Sequence, residues 1–471
     1  MKKVVIIGGG ITGLSAAYTL EEKAKGKVDY LLVERENRLG GKIHTIKEEG
    51  FVLEGGPDCF LSEKPQVAQL SEKLGIEDRL LPSHEASKGS SVYSGGKLHK
   101  LPEGLMLMVP TKIIPFALSP LISWPGKFRM ALDFFLPKRK GNQDESLGSF
   151  VTRRLGREAL DKIAEPLIGG IHSGDPEQMS LKASFPRFLQ MEEKYGSLIR
   201  AMLAARKHAP KKPQPAPGKV EKTYFMSFKG GMGELVDAVV ERLDKSKLLL
   251  GKQVTSVKPK ENGKYAVFIE GMDALEADAV IVAAPANVAA EILGETDEVI
   301  AARLREIPYV SSATVSLAYR RADIKQDLNS FGFVIPRKEN RKIMAVTYSS
   351  TKWFKHRTPN DDYVLLRAFV GGPGNQELVM LDDEKMIKMV LDEVREIMGV
   401  DAKPVMTRIF RWIKGMPQYT MGHLERMEVI EKQLAKNPGL YIVGGSYRGV
   451  GVGNCIGEGS GAAEKAMEYL Q

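Results

Sequence analysis

The stretch Lys2–Lys42, KKVVIIGGGITGLSAAYTLEEKAKGKVDYLLVERENRLGGK, decides the fold. Val4 to Ile7 form an apolar run that predicts a buried strand, and Gly8, Gly10 and Gly13 follow on a G-x-G-x-x-G spacing. Leu14, Ala17 and Tyr18 then share one face of a predicted helix, and Tyr30 to Val33 predict a second strand ending on Glu34. Each residue type has a physical task in such a unit. The first glycine permits the tight strand-to-helix turn, the second lets backbone approach a pyrophosphate, and the third lets helix and strand pack closely. The free N–H groups at the helix start attract the phosphates. Glu34 follows Gly13 by 21 residues, near the ~20 expected of an acid that binds a ribose hydroxyl. A lone glycine motif is weak, but with both strands, the helix and the acid in place it predicts a dinucleotide site.

Working outward, 471 residues are too many for one ordinary core, and two or three domains are expected. The 43% apolar and 27% charged content is that of a globular chain. A net charge of +9 favours anionic partners. No RNP-like run, zinc-finger spacing or long basic block accompanies that charge, so nucleic acid is not expected. Cys59 and Cys455 are the only cysteines, which argues for a reducing compartment without a disulfide framework. The seven histidines stand singly, so no metal site is expected. The chain enters a strand within three residues and contains no apolar run of membrane-spanning length. A cytoplasmic location follows as an expectation, with the membrane periphery left open.

Further along, Arg38-Leu39-Gly40-Gly41-Lys42 suits a loop folding over a diphosphate, and Glu54-Gly55-Gly56-Pro57-Asp58-Cys59 supplies a Gly-rich turn suited to a wall against a flat ring. Helical periodicity runs through Gln66–Leu74 and Leu147–Leu167. Between them, Met106–Lys140 mixes proline, apolar and basic residues. Trp124, Phe128, Phe134 and Phe135 beside Lys127, Lys138, Arg139 and Lys140 fit either a surface resting on a membrane or a helical cover with its aromatics inside. Residues 208–222, HAPKKPQPAPGKVEK, predict an exposed mobile loop. Strands are predicted at Leu248–Leu250, Gln253–Lys258, Tyr265–Ile269 and Ala279–Ala283, then at Val310–Tyr319, Phe331–Ile335, Ile343–Tyr348 and Tyr363–Val370, before a helix at Glu384–Met398. Near the C-terminus a strand at Leu440–Val443, a Gly-rich turn and a helix from Glu458 to Leu470 restate the opening theme and aim a second helix N-terminus at the same ligand.

These segments predict an α/β fold with α+β character. A Rossmann-like cofactor domain is assembled from residues 1–66, 220–290 and 405–471. A helical, membrane-facing or pocket-covering subdomain spans 67–219, and a mixed-sheet substrate domain spans 291–404.

The chain resembles the flavin-dependent protoporphyrinogen/coproporphyrinogen oxidase family, within the amine-oxidase-like flavoproteins. The resemblance covers nearly the whole length. It is carried by Gly8–Gly13, by Glu34 with Gly40-Gly41-Lys42, and by Gly56-Pro57-Asp58. More specific are Glu165-Pro166-Leu167 with Gly170-Ile171, Pro417-Gln418-Tyr419 with Gly422-His423, and Gly449-Val450 with Cys455-Ile456. Gly56 to Leu61 and Leu366 to Val370 are most similar to the soluble, coproporphyrin-forming enzymes of Gram-positive bacteria.

That resemblance implies FAD as cofactor and an oxygen-dependent, six-electron oxidation of coproporphyrinogen III in heme biosynthesis. A protoporphyrinogen IX oxidase and another amine-oxidase-like flavin oxidase stay open as alternatives. It implies cofactor contacts at Gly8, Gly9, Gly10, Ile11, Thr12, Gly13, Glu34, Arg35, Lys42, Gly56, Pro57, Asp58, Cys59, Val254, Trp412, Val450, Gly451 and Val452. It places Lys64 against a substrate propionate, and Phe60, Ile171, Phe331, Val334 and Phe369 around the macrocycle. Implied partners are the anionic porphyrinogen, dioxygen, a ferrochelatase receiving the product, and a membrane surface. The cofactor carries the redox chemistry, so no catalytic triad or acid/base pair is required, and no residue is singled out as catalytic.

Overall fold

The computed structural model describes residues 1–24, 26–87, 89–106, 108–110, 112–207 and 221–471, with the backbone alone at a few positions that include Ile171. The loop expected at 208–222 lies outside the described residues as far as residue 220.

Five parallel strands form the first sheet, in the order Leu248–Leu249, Val28–Val33, Lys2–Ile7, Ala279–Val282 and Leu440–Ile442. Val4 pairs with Tyr30 on one side and Ala279 on the other. Alternation sorts the central strand between two cores. Val4 and Ile6 face helices Ile11–Lys23, Gly233–Glu241 and Val452–Leu470. Val5 and Ile7 face an antiparallel meander, Val254–Pro259, Tyr265–Ile269 and Leu275–Ala277, and helix Ala286–Leu293. Burial on both faces explains why these strands read as unbroken apolar runs. The last helix begins at Val452 rather than at the expected Glu458. Gly459 is needed where the helix presses on Ile11–Lys23, since a Cβ there would overlap the Thr12 carbonyl oxygen, and Gly453 lies close against Lys64.

A seven-stranded mixed sheet follows the order Met406–Pro417, Tyr309–Arg320, Tyr363–Gly371, Ile343–Tyr348, Gly332–Val334, Ser91–Ser94, Lys97–Lys100. The four strands expected between residues 310 and 370 all lie here. Three others come from outside that span: Ser91–Ser94 and Lys97–Lys100 from the stretch expected to be helical, and Met406–Pro417 from the stretch assigned to the cofactor. Helix Asp383–Met398 packs Met386, Val390 and Val394 on one face, against Leu317, Leu366 and Ala368. On the other face Leu365 and Phe410 meet Phe51 and Leu53 of the hairpin Thr45–Glu54. That contact brings the mixed sheet against the Gly55–Gly56 turn.

The helix expected at 147–167 is several pieces. Leu147–Leu155 ends at Gly156, whose φ of 96° suits glycine, and a single π-turn, Leu160–Ala164, leads into Glu165–His172. Phe150, Ile163, Leu181 and Phe188 build the core of this layer. Of the aromatics of 106–140, Phe116 alone is inside it. Trp124, Phe128 and Phe135 are 62%, 69% and 77% exposed, joined by Ile114, Leu118 and Leu132. Beneath them Arg154, fully buried, donates to Asp133 Oδ1 (2.5 Å) and to the carbonyls of Asp133 (2.9 Å) and Gly196 (2.8 Å). This ion pair, with Ser197 Oγ donating to Asp133 Oδ2 (2.6 Å), fixes the exposed turn in shape.

Candidate functional site at the carboxyl edge of the parallel sheet

Helices Ile11–Lys23, after the central strand, and Val452–Leu470, after the edge strand, start at the carboxyl edge of the parallel sheet, where ligands of such folds bind. Gly10 precedes Ile11–Lys23 and Gly451 precedes Val452–Leu470, and neither start has a side-chain cap. Their first N–H groups are therefore offered to an anion. Gly8 has φ 108°, and a Cβ there would lie 2.7 Å from the Ala283 carbonyl oxygen. A Cβ at Gly13 would overlap the Gly8 carbonyl. The turn is built as its spacing predicts.

Glu34 accepts from the backbone N–H of Gly9 (2.6 Å) and of Glu36 (2.8 Å), so the acid closes the first glycine turn as well as facing outward. Arg35 is exposed and pairs with Glu36 at 3.1 Å. The second glycine pair docks on the first: Gly40 N–H donates to Gly9 O (2.8 Å), and Gly41 lies so close that a Cβ would be 3.0 Å from Gly10 Cα. Arg38, which motif spacing passed over, folds back to donate to Gly41 O (2.6 Å) and hold that loop. Lys42 stands exposed at its end. The Val254 side chain is buried in the sheet core, but its strand begins beside Glu34, whose carbonyl accepts from Lys252 N–H (3.0 Å). Thr12 is buried in the first turn of its helix, against Gly444.

The Gly55–Gly56 turn is held from three sides. Gly55 O accepts from Trp412 Nε1 (2.8 Å), Thr314 Oγ1 (3.2 Å) and Arg367 Nη2 (3.2 Å), and Gly56 O accepts from Arg367 Nη2 at 2.5 Å. Gly56 admits no side chain, since a Cβ would overlap Lys42 O. After Pro57, Asp58 accepts from Lys352 Nζ (3.0 Å) and Trp353 Nε1 (3.1 Å). Burial alone would raise the Asp58 carboxyl, but Lys352 and Arg367 outweigh it and hold the group well below the usual carboxylate range. Burial, reinforced by Asp58, pushes the Cys59 thiol up to about 12, so it is an inert neutral group.

The C-terminal turn shows what the Pro417-Gln418-Tyr419 and Gly422-His423 motif does. Tyr419 Oη donates to Gly445 O (2.9 Å) and accepts from Gly449 N–H (2.7 Å). His423 stacks on Tyr419, ring centroids 4.1 Å apart, and its Nε2 meets Tyr447 O at 2.8 Å. Tyr309 Oη bonds Ser446 Oγ at 2.7 Å. Four successive side-chain contacts thus fix residues 445–449 and, through them, Val450, Gly451 and the helix start at Val452.

The residues expected around a macrocycle are only partly brought together. Phe369 shares the strand face that carries Leu365 and Arg367, with the Arg367 guanidinium 4.8 Å above its ring. Val334 packs on the helical layer, facing Gly170. Phe331 is half-buried, edge-on to Phe225 at 6.4 Å. Ile171 lies on Glu165–His172, its side chain outside the described residues. Phe60 is in the core beside Phe228, at 5.9 Å, rather than facing this group. Lys64 is exposed where helix Pro65–Leu74 begins, close against Gly453. Sequence patterns missed Glu54, Lys352, Arg357 and Arg367, all buried around the Gly55–Gly56 turn. Arg367 alone carried a signal, as one charge inside an apolar strand run.

The arrangement fits an elongated dinucleotide, with glycine backbone where side chains would collide and two uncapped helix starts for its charges. The profile of the family described as flavin containing amine oxidoreductase matches residues 11–467. A coproporphyrinogen III oxidase from Bacillus subtilis (strain 168) is 37% identical over 473 residues, covering 100% of this chain and 98% of its own length. Protoporphyrinogen oxidase 2, chloroplastic/mitochondrial, of Arabidopsis thaliana is 29% identical, covering 100% and 94%. A crystal structure from Exiguobacterium sp. 255-15, provisionally named a protoporphyrinogen oxidase, superimposes with a TM-score of 0.87 at 32% identity, covering 100% and 99%.

Proposed function

Because the chain belongs to the family of flavin-containing amine oxidoreductases, we propose that it is an FAD-dependent, oxygen-consuming oxidase that converts coproporphyrinogen III to coproporphyrin III. A bound flavin supplies two-electron hydride acceptance, so a six-electron aromatisation takes three rounds and yields three molecules of hydrogen peroxide. The chain's own residues bind and orient. Gly8–Gly13 and the start of Ile11–Lys23 hold the diphosphate, with Glu34 at the ribose. The Gly55–Gly56 turn, fixed by Trp412, Thr314 and Arg367, backs the ring system. The start of Val452–Leu470, fixed by Tyr419 and His423, brings positive potential to the other side. Phe369, Val334 and Phe331 offer apolar walls to the tetrapyrrole, and exposed Lys64 offers a point charge to a propionate.

The observation that carries this reading over a protoporphyrinogen oxidase is the full-length likeness to coproporphyrinogen III oxidases, stronger than to the plant enzymes. A chain of net charge +9 also suits four propionates better than two. The test is to prepare both porphyrinogens anaerobically, expose each to oxygen with the enzyme, and follow porphyrin fluorescence. Faster turnover of protoporphyrinogen IX would refute the substrate assignment.

The exposed face of Trp124, Phe128, Leu132 and Phe135 supports a second element of this reading: the enzyme works against an anionic membrane surface, from which its product passes to an iron-inserting enzyme. Lys138 and Lys140 flank the aromatics, exposed, and aromatic residues with adjacent cations are the composition of interfacial segments. Among the described residues no helix is long and apolar enough to cross a membrane. Co-sedimentation with phosphatidylglycerol vesicles should be lost in Trp124→Ser/Phe128→Ser, and absence of wild-type binding would remove this element alone.

A further inference from the structure

Arg367 lies mid-strand in Tyr363–Gly371, between Leu366 and Ala368, which belong to the core on the opposite face. It is 5% exposed. Its Nη2 donates to Gly56 O (2.5 Å) and Gly55 O (3.2 Å), its guanidinium stands 4.8 Å above the Phe369 ring, and its buried Nε has no partner. None of these contacts is to a carboxylate. The two nearby acids are engaged elsewhere. Glu54 accepts from Thr45 Oγ1 (2.7 Å) and Met232 N–H (2.6 Å), and Asp58 accepts from Lys352 and Trp353. The cluster's other arginine, Arg357, donates to neutral groups, namely the carbonyls of Lys229, His356 and Phe228 and Ser227 Oγ, and has a further carboxylate, Glu234, acting on it. Arg367 is therefore the cation of this cluster whose two nearby carboxylates, Glu54 and Asp58, are both held by other donors.

A buried charge without a counter-charge is costly, and natural chains keep one where another anion completes it. Position narrows what that anion is. Arg367 is tied to the turn that, on the function proposed above, backs the flavin ring, and at 5% exposed it offers a carboxylate from solvent little access. Oxidised flavin is neutral. A flavin held there would become a monoanion on accepting a hydride, two electrons and one proton, from a bridge carbon of the porphyrinogen, with the pyrrole N–H proton released to solvent. Dioxygen would take back that electron pair and proton together with one proton from solvent, giving hydrogen peroxide and a neutral ring.

We propose that Arg367 supplies the fixed counter-charge that stabilises the reduced, anionic flavin, and so sets how readily the cofactor accepts hydride. This rests on the flavin lying against the Gly55–Gly56 turn. The residue acts through space and the turn, and is a positioning and charge-balancing group.

Sulfite tests it without porphyrinogen, because its addition to flavin N5 also places negative charge on the ring. With holoenzyme, Arg367→Met and Arg367→Gln should retain oxidised flavin but bind sulfite at least tenfold more weakly. The same tenfold loss lowers a two-electron potential by about 30 mV. Arg367→Lys, which keeps the charge, should stay nearer wild type than either. Wild-type sulfite affinity and potential in Arg367→Met or Arg367→Gln would overturn the proposal, and a raised KM for the porphyrinogen alone would assign the charge to a substrate carboxylate instead. Equal loss in Arg367→Lys and Arg367→Met would also overturn it, because shape rather than charge would then be at issue. A wild-type protein that binds no flavin would refute the underlying function, a result distinct from these.

Discussion

Replacing Tyr419 by Phe removes one oxygen and keeps the ring stacked on His423. That oxygen joins Gly445 O to Gly449 N–H at 2.9 and 2.7 Å and so closes the turn leading into helix Val452–Leu470. A typical intramolecular hydrogen bond contributes about 1 kcal/mol net, so two amount to about 2 kcal/mol. Both groups sit where the turn is partly exposed, and returning water keeps the loss from growing larger. At 1.4 kcal/mol per tenfold, the closed turn becomes about 30-fold less favoured. If flavin binds only the closed turn, its apparent affinity falls by the lost closed fraction, to a limit of the same 30-fold. The assay is flavin titration of the apoprotein, followed by fluorescence quenching, with thermal unfolding of apo and holo forms alongside. Tyr419→Phe should weaken flavin binding severalfold and lower the holo midpoint more than the apo midpoint. Affinity within about twofold of wild type, together with an unchanged holo midpoint, would show that the clamp does not hold the helix start, and the reasoning would fail. A His423→Ala cycle adds a check, since two residues on one turn should be non-additive.

Three further outcomes follow from the same geometry. Gly56→Ala should abolish flavin retention during purification, visible as loss of the yellow chromophore, because a Cβ there overlaps Lys42 O and neither backbone can give way. Burial depresses the His172 imidazole to about 4, so the unfolded chain binds a proton there from pH ~6.5 downward while the native one does not; urea-unfolding stability should fall as pH drops through that window, and His172→Gln should flatten the slope. Asp58 has the same sign in a lower window: its depressed carboxyl adds stability that is complete above the unfolded value of about 3.9 and lost below it. Lys352→Met should therefore move acid-induced flavin release, followed by fluorescence, to higher pH.

The parallel sheet was legible because its period is unambiguous: strands buried on both faces leave apolar runs, and glycine spacing marks where the chain turns. The mixed-sheet strands between 310 and 370 were legible for the same reason. Two kinds of feature were not. Helix Val452–Leu470 hides behind Gly453, Gly457 and Gly459, residues that disfavour helix locally, and only packing explains them: Gly459 on Thr12, Gly453 and Gly457 on Lys64 and Gln66. The cluster of Glu54, Asp58, Lys352, Arg357 and Arg367 is gathered by topology from distant parts of the chain, and hydrophobic periodicity carries no information about which charges meet. The direction of Trp124, Phe128 and Phe135 was open for a related reason: alternating proline and apolar residues specify no face.

The strand order of the parallel sheet also sets a timetable. Leu440–Ile442 closes one edge, and helix Val452–Leu470, which completes the cofactor site on the function proposed above, follows it. At about 5–20 residues per second, Gly8 to Gly13 emerge roughly 20 to 90 s before their opposite wall exists. During that interval the outward edge of Ala279–Val282 has no strand to pair with. On that reading cofactor capture waits for Val452–Leu470, and a truncation that removes residues 440–471 should leave a protein that neither closes its sheet edge nor turns yellow.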